Sequence, residues 1–136
     1  MSELVVAPDA EAAIISHLNA AFATRGDAAT ASTEIQDPRP DRFVRAQRAG
    51  GPRRNLITDS PVMLFECWDV DTVSASELGR TVEAIVLATN GTWIGQQQTW
   101  VEDVGSSSGV VYFPDPDTKL PRYQFTIQLF TKCEAL

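Results

Sequence analysis

Residues 61–68, Pro-Val-Met-Leu-Phe-Glu-Cys-Trp, leave this chain few ways to fold. Successive side chains of an extended segment point to opposite sides, and here both sides are apolar apart from Glu66. A strand of that kind needs cover on two faces, so it belongs in the middle of a sheet, with Pro61 confined to its start. The segment near the C-terminal end is different. Tyr123, Phe125, Ile127 and Leu129 alternate with Gln124, Thr126 and Gln128, which predicts a strand with one face on the core and one left for water or a partner.

The cover comes from two helices. Ser74-Ala75-Ser76-Glu77 reads as a capping box, followed by Leu78, Val82, Ile85, Val86 and Thr89 at helical spacing and by the stop signal Asn90-Gly91. An earlier helix is expected from Pro8 to Ala23, with Ile14, Leu18 and Ala21 on one stripe, Ile15 and Phe22 beside it, and Asp9 and Glu11 at its positive end. Arg25-Gly26-Asp27 is an integrin-type string, but it reads as the turn that ends this helix. Phe125 and Leu129 are expected to pack under Leu78, Val82 and Ile85.

Between these elements a strand is expected over Ser32–Gln36, ended by Asp37-Pro38-Arg39-Pro40. Arg42–Ala49 and Leu56–Val70 read as the arms of a long hairpin with the tip Gly50–Asn55. Arginine on both sides of the first arm predicts that the arm projects. Ile94–Val104 reads as a strand made too polar for the centre by Gln96, Gln97 and Gln98, Gly105–Gly109 as a flexible loop, Val110–Phe113 as a short strand and Pro114–Pro121 as a stiff turn. The expected architecture is a single α+β domain over residues 1–136: a mostly antiparallel sheet, two helices on one face, and a long projecting basic hairpin.

At 136 residues and 43% hydrophobic content, with 6 Phe, 3 Trp and 2 Tyr, the chain has material for a core. No apolar run is long enough to cross a bilayer. The first residues lack a basic stretch ahead of an apolar one, which reads as no secretory signal, and Cys67 and Cys133 read as reduced, buried thiols of a chain made in a cytoplasm. The net charge of −7 conceals an asymmetry: residues 39–54 hold six arginines against Asp41, or +5, and the remainder holds 5 bases against 17 acids, or −12. An acidic body with one basic segment argues against general nucleic-acid binding and suits contact with an acidic neighbour.

Converging chemistry is scarce. His17 has no second ligand at helical spacing, since residues 13, 14, 20 and 21 are alanine or isoleucine, and a zinc site is not expected. Asp115-Pro116-Asp117 lacks the glycine and glutamate offsets of a calcium loop. Phosphate-loop, nucleophile-elbow and dinucleotide patterns are absent. The reading is that the chain is not an enzyme and holds no cofactor.

The stretch Gly109-Val-Val-Tyr-Phe-Pro-Asp-Pro-Asp-Thr118, with Pro121-Arg-Tyr-Gln-Phe-Thr126, resembles the C-terminal segment of tail terminator proteins of long non-contractile-tailed (siphovirus-type) actinobacteriophages. The order and size of the elements agree more loosely over almost the whole chain. The resemblance implies a structural virion protein, made in the host cytoplasm, that forms a homohexameric ring at the head-proximal end of the tail. Such a ring terminates the tube of major tail protein and presents a surface to the head–tail connector or stopper. It has no catalytic residues, cofactor, metal or membrane contact. Six chains of −7 make −42, a charge that would let genomic DNA pass the lumen without specific binding. Candidate subunit or partner contacts are Arg42, Arg45, Arg48, Arg53, Arg54, Gln96, Gln97 and Gln98. Rival readings are another neck component such as a stopper, which only its docking partner would distinguish, and a small-molecule-binding α+β domain, which would need a deep pocket with convergent polar groups.

Overall fold

The computed structural model describes residues 3–136. The elements are β1 (Val5–Val6), α1 (Ala10–Arg25), β2 (Thr30–Ser32), β3 (Phe43–Gly50), β4 (Thr58–Asp59), β5 (Val62–Trp68), α2 (Thr72–Leu87), β6 (Thr92–Ile94), β7 (Thr99–Ser107), β8 (Val111–Tyr112), β9 (Arg122–Lys132) and β10 (Glu134–Ala135). The main sheet has the order β2-β3-β5-β9-β7-β6, with β4 and β8 also paired to β9, while β1 and β10 form a separate small ribbon. The β2–β3 pair is parallel and every other pair is antiparallel. The fold is therefore α+β, with both helices on one face of a mostly antiparallel sheet.

The doubly apolar strand is central. β5 lies between β3 and β9, from Phe43 opposite Trp68 to Val62 opposite Gln128. Its Met63, Phe65 and Cys67 point toward the helices and are fully buried with Val44, Ala46, Phe125, Ile127 and Leu129. α1 contributes Ile14, Leu18 and Phe22, and α2 contributes Leu78, Val82 and Val86. At roughly 25 cal/mol per Å² of apolar area removed from water, this layer is the main stabilising term. Phe65 and Phe125 stack across the strands at 4.9 Å. The alternation expected of the last strand holds from Gln124 to Lys132; at its start Arg122 is buried and Tyr123 is only half-buried.

Several local expectations are corrected. α2 begins earlier than the serine-rich signal suggests, because the Asp71 carboxylate accepts from the Ser74 amide at 2.7 Å. Ser74 is thus inside the first turn, and Glu77 points to Arg42 instead of back to a cap. α1 is capped by Asp9 and ends at Gly26, whose φ of 68° lets its amide and that of Asp27 close onto the last carbonyls of the helix. The strand expected over Ser32–Gln36 lies earlier, at Thr30–Ser32. The Asn19 side chain donates to the Ala31 carbonyl at 3.0 Å and accepts from its amide at 2.8 Å, occupying the strand's outer edge. The polar run Gln96–Gln98 is the turn between β6 and β7, not part of a strand. The serine-rich run, expected to be a loop, is mostly strand: β7 reaches Ser107, where the hydroxyl donates to Glu83 at 2.7 Å.

The basic hairpin exists as β3–β5 but does not project. β3 is hydrogen-bonded to β5 along its length, and β5 to β9. A bulge at Gly50 turns the chain, and Gly51 (φ 90°) lies so close to Ser60 that a Cβ would collide with the Ser60 carbonyl. The tip then folds back, with the Arg53 backbone paired antiparallel to that of Asp59 and the Arg53 guanidinium donating to the Val5 carbonyl at 2.8 Å. Cys67 and Cys133 are buried free thiols, and burial pushes the pKa of both upward.

Candidate functional site

Where the arginines go decides what the surface offers. Arg42 donates to both oxygens of Asp27 at 2.8 and 3.1 Å, to Asp69 at 2.9 Å and to the Ser74 carbonyl at 3.2 Å. These contacts outweigh partial burial and raise its pKa, and the same hydrogen bond holds the Asp27 carboxyl below the usual range. Arg48 forms a forked pair with Asp59 at 2.6 and 2.9 Å and ties down the Gly50 and Gly51 carbonyls. Arg45 meets Glu66 at 2.6 Å, and Arg122 reaches the other Glu66 oxygen at 2.8 Å. The cations of the first arm therefore face carboxylates drawn from the acidic remainder of the chain. Arginine on both sides of the arm does not signal projection, because each side has its own acids.

The pairs on the sheet's outer face surround Trp68, which is fully buried on the side opposite the helices. Phe43 stacks on it at 4.5 Å, and the Arg45 and Arg122 guanidinium groups lie 6.0 and 5.6 Å from its ring. Its indole N–H donates to Asp115 at 3.2 Å. Asp115 also accepts from the Asp117 amide at 2.9 Å, and Arg39 lies 3.7 Å away. Burial alone would raise the Asp115 pKa, but these hydrogen bonds prevail and lower it. The Phe-Pro-Asp-Pro-Asp turn is thus a clasp that closes a second, smaller core over one end of the outer face.

Arg53 and Arg54 differ from the others. Both are exposed; Arg53 donates to the Val5, Asn55 and Leu56 carbonyls, and Arg54 lies 5.7 Å from the Phe130 ring. Of the candidate contacts, these two keep guanidinium groups without a carboxylate partner. Gln96, Gln97 and Gln98 sit together on the exposed β6–β7 turn, at the far end of the strand order from β3, which carries Arg45 and Arg48. The structure does not bring the two sets into one site.

Beside the glutamine turn lies a feature the sequence reading missed. Trp93 is 57% exposed, is in contact with Trp100 at 5.0 Å, and forms one wall of an open groove of about 800 Å³ between α1 and the β6–β7 turn. Ile15, Ser16, His17 and Gln96 are among its other walls. Burial lowers the His17 pKa, because it disfavours the charged imidazolium. At the other end of β9, Val111, Tyr112 and Phe113 form a ridge, each about half exposed. The period-2 position of Trp93 opposite Trp100 was the available clue. Among the described residues, no three His, Cys, Asp or Glu side chains cluster as metal ligands, and no helix is long and apolar enough to cross a membrane. No protein-family model matches the chain, and no curated protein matches it significantly.

Proposed function

We propose that this chain is the repeating subunit of a tail-terminator-like ring: a structural protein that caps a phage tail tube and presents a docking surface to the head connector. The observation that carries this reading is the pair of exposed aromatic surfaces at opposite ends of the sheet, around Trp93 and around Tyr112. Large apolar patches left in water mark contact surfaces, and two on one small chain suit a subunit with a neighbour on either side. The sequence resemblance of residues 109–126 supplies the identity of the assembly. In the fold those residues form one unit, β8 laid against β9 with the Asp115 clasp between them.

In this reading the docking cations are Arg53 and Arg54, while Arg42, Arg45 and Arg48 hold the subunit together. The test is the double variant Arg53→Glu/Arg54→Glu. Both side chains are exposed, and the Arg53 bonds that are lost, to the Val5, Asn55 and Leu56 carbonyls, lie at the surface, so the isolated subunit should stay folded with a melting temperature lowered by no more than a few degrees. Reversing charge at a contact can cost several kcal/mol through like-charge juxtaposition, so assembly should yield tails of abnormal length or tails that fail to join heads. Electron microscopy of the particles reads the outcome. Normal yields of joined particles would show the tip to be a solvated loop, and absence of the protein from the head-proximal end of the tail would end the ring reading.

A further inference from the structure

The two aromatic surfaces differ in shape and agree in charge. One is a groove and the other a ridge. Residues 12–24 and 84–101, which supply the groove's walls, contain no Asp, Glu, Lys or Arg, and neither do residues 104–114, which carry the ridge. In a chain with 29 charged side chains among 136 residues, such gaps bear on the choice of partner. An oppositely charged partner would be met through cations. A copy carrying the same −7 is met with least repulsion where charge is absent, and charge depletion with aromatic enrichment is the composition of interface centres.

We infer that the Val111–Phe113 ridge of one copy seats in the Trp93 groove of the next, so that this protein associates with itself head to tail. Tyr112 pairs with Tyr123 and Val101 with Thr131, so the surfaces lie eight residues apart along β9, roughly 26 Å at strand rise. They do not overlap, so each copy can give its ridge to one neighbour and its groove to another. That is a heterologous contact, which closes into a ring or continues as a filament according to its rotation. The inference deepens the ring reading and rests on it only for closure, not for the contact.

Four measurements on the full chain test it. Wild type is followed by sedimentation from micromolar to millimolar concentration, and a photo-reactive benzoyl-phenylalanine at position 112 is mapped by mass spectrometry. Self-association and cross-links to residues 12–20 or 93–98 of another copy are expected. Val111→Asp/Tyr112→Asp should abolish association, and so should Trp93→Asp, with Gln96→Asp as a second groove variant if Trp93→Asp melts early. An equimolar mixture of a ridge variant and a groove variant keeps one intact ridge and one intact groove, so it should give a 1:1 dimer and nothing larger. A chain that stays monomeric without cross-links overturns the inference, as does loss of association in the groove variants alone or a mixture that fails to dimerise. Head-to-tail association in a protein absent from phage tails would remove the tail reading and leave the contact standing.

Discussion

The two faces of the sheet are held by different physics. Toward the helices, Phe65, Phe125, Ile127, Leu129 and their neighbours form a continuous buried apolar layer, and the Arg42–Asp27 and Arg48–Asp59 pairs stand at the two ends of β3. On the other face, Trp68 is just as buried, but it is enclosed by Arg45, Glu66, Arg122 and Asp115. The first face stabilises through area, which is tolerant of direction. The second needs each guanidinium and carboxylate in place, because a buried charge without its partner is costly. The helix-facing layer therefore supplies stability, and the Trp68 cluster fixes how β3, β5, β9 and the proline-bound turns register.

The sharpest way to break this contrast is at Phe125. Its truncation to Ala should lower stability by about 3–5 kcal/mol, the usual loss for a buried aromatic, read by urea unfolding. A smaller loss than at any outer-face residue would reverse the assignment of the two faces. Next comes Arg45→Met. Glu66 would keep Arg122 as its partner, so the expected loss is about 1–3 kcal/mol, in the range for a charged hydrogen bond to a buried group. A neutral result would mean that Arg122 alone satisfies Glu66.

The smallest effect is the dependence on acid. Asp27 and Asp115 have folded-state pKa values below their usual ones. Their contribution is therefore complete above the unfolded carboxylate value near 4 and is lost as pH falls through the lower folded values. Thermal melts should hold steady from pH 7 to about 5 and decline below about 4. Asp27→Asn should lower the melting temperature at pH 7 and flatten that decline. An unchanged acid limb in this variant would place the sensitivity at other carboxylates.

The helix-facing layer was legible in the sequence because its signals are periodic and local. The spacing of Leu78 and Val82, the alternation of Phe125, Ile127 and Leu129, and the apolar run at Met63–Cys67 each show their role within a dozen residues. The outer face was not legible, because its partners are remote: Arg45 and Glu66 are 21 residues apart, Trp68 and Asp115 are 47, and Glu66 and Arg122 are 56. Without those pairings, arginines on both sides of a strand suggested a projecting arm. The cap of α2 was misplaced for a narrower reason, since Asp71 and Ser74 are both good caps three residues apart and Asp71 starts the helix. Of the candidate site, the glutamines and the Arg53–Arg54 tip were named in advance, but the groove beside Trp93 requires the packing of α1 against the β6–β7 turn.

The Asn19 amide on the edge of β2 has a consequence for colloidal behaviour. A terminal strand with unoccupied backbone groups is a template on which another molecule can lay its own backbone, and repeated addition of that kind leads to fibrils. In this chain one side-chain amide fills both the donor and the acceptor of Ala31, so that route to disordered growth is shut by a single residue. Removing the amide by Asn19→Ala would expose the template while sparing the apolar layer beneath it. The result would be a chain that still folds yet precipitates on standing, a failure of stickiness rather than of stability.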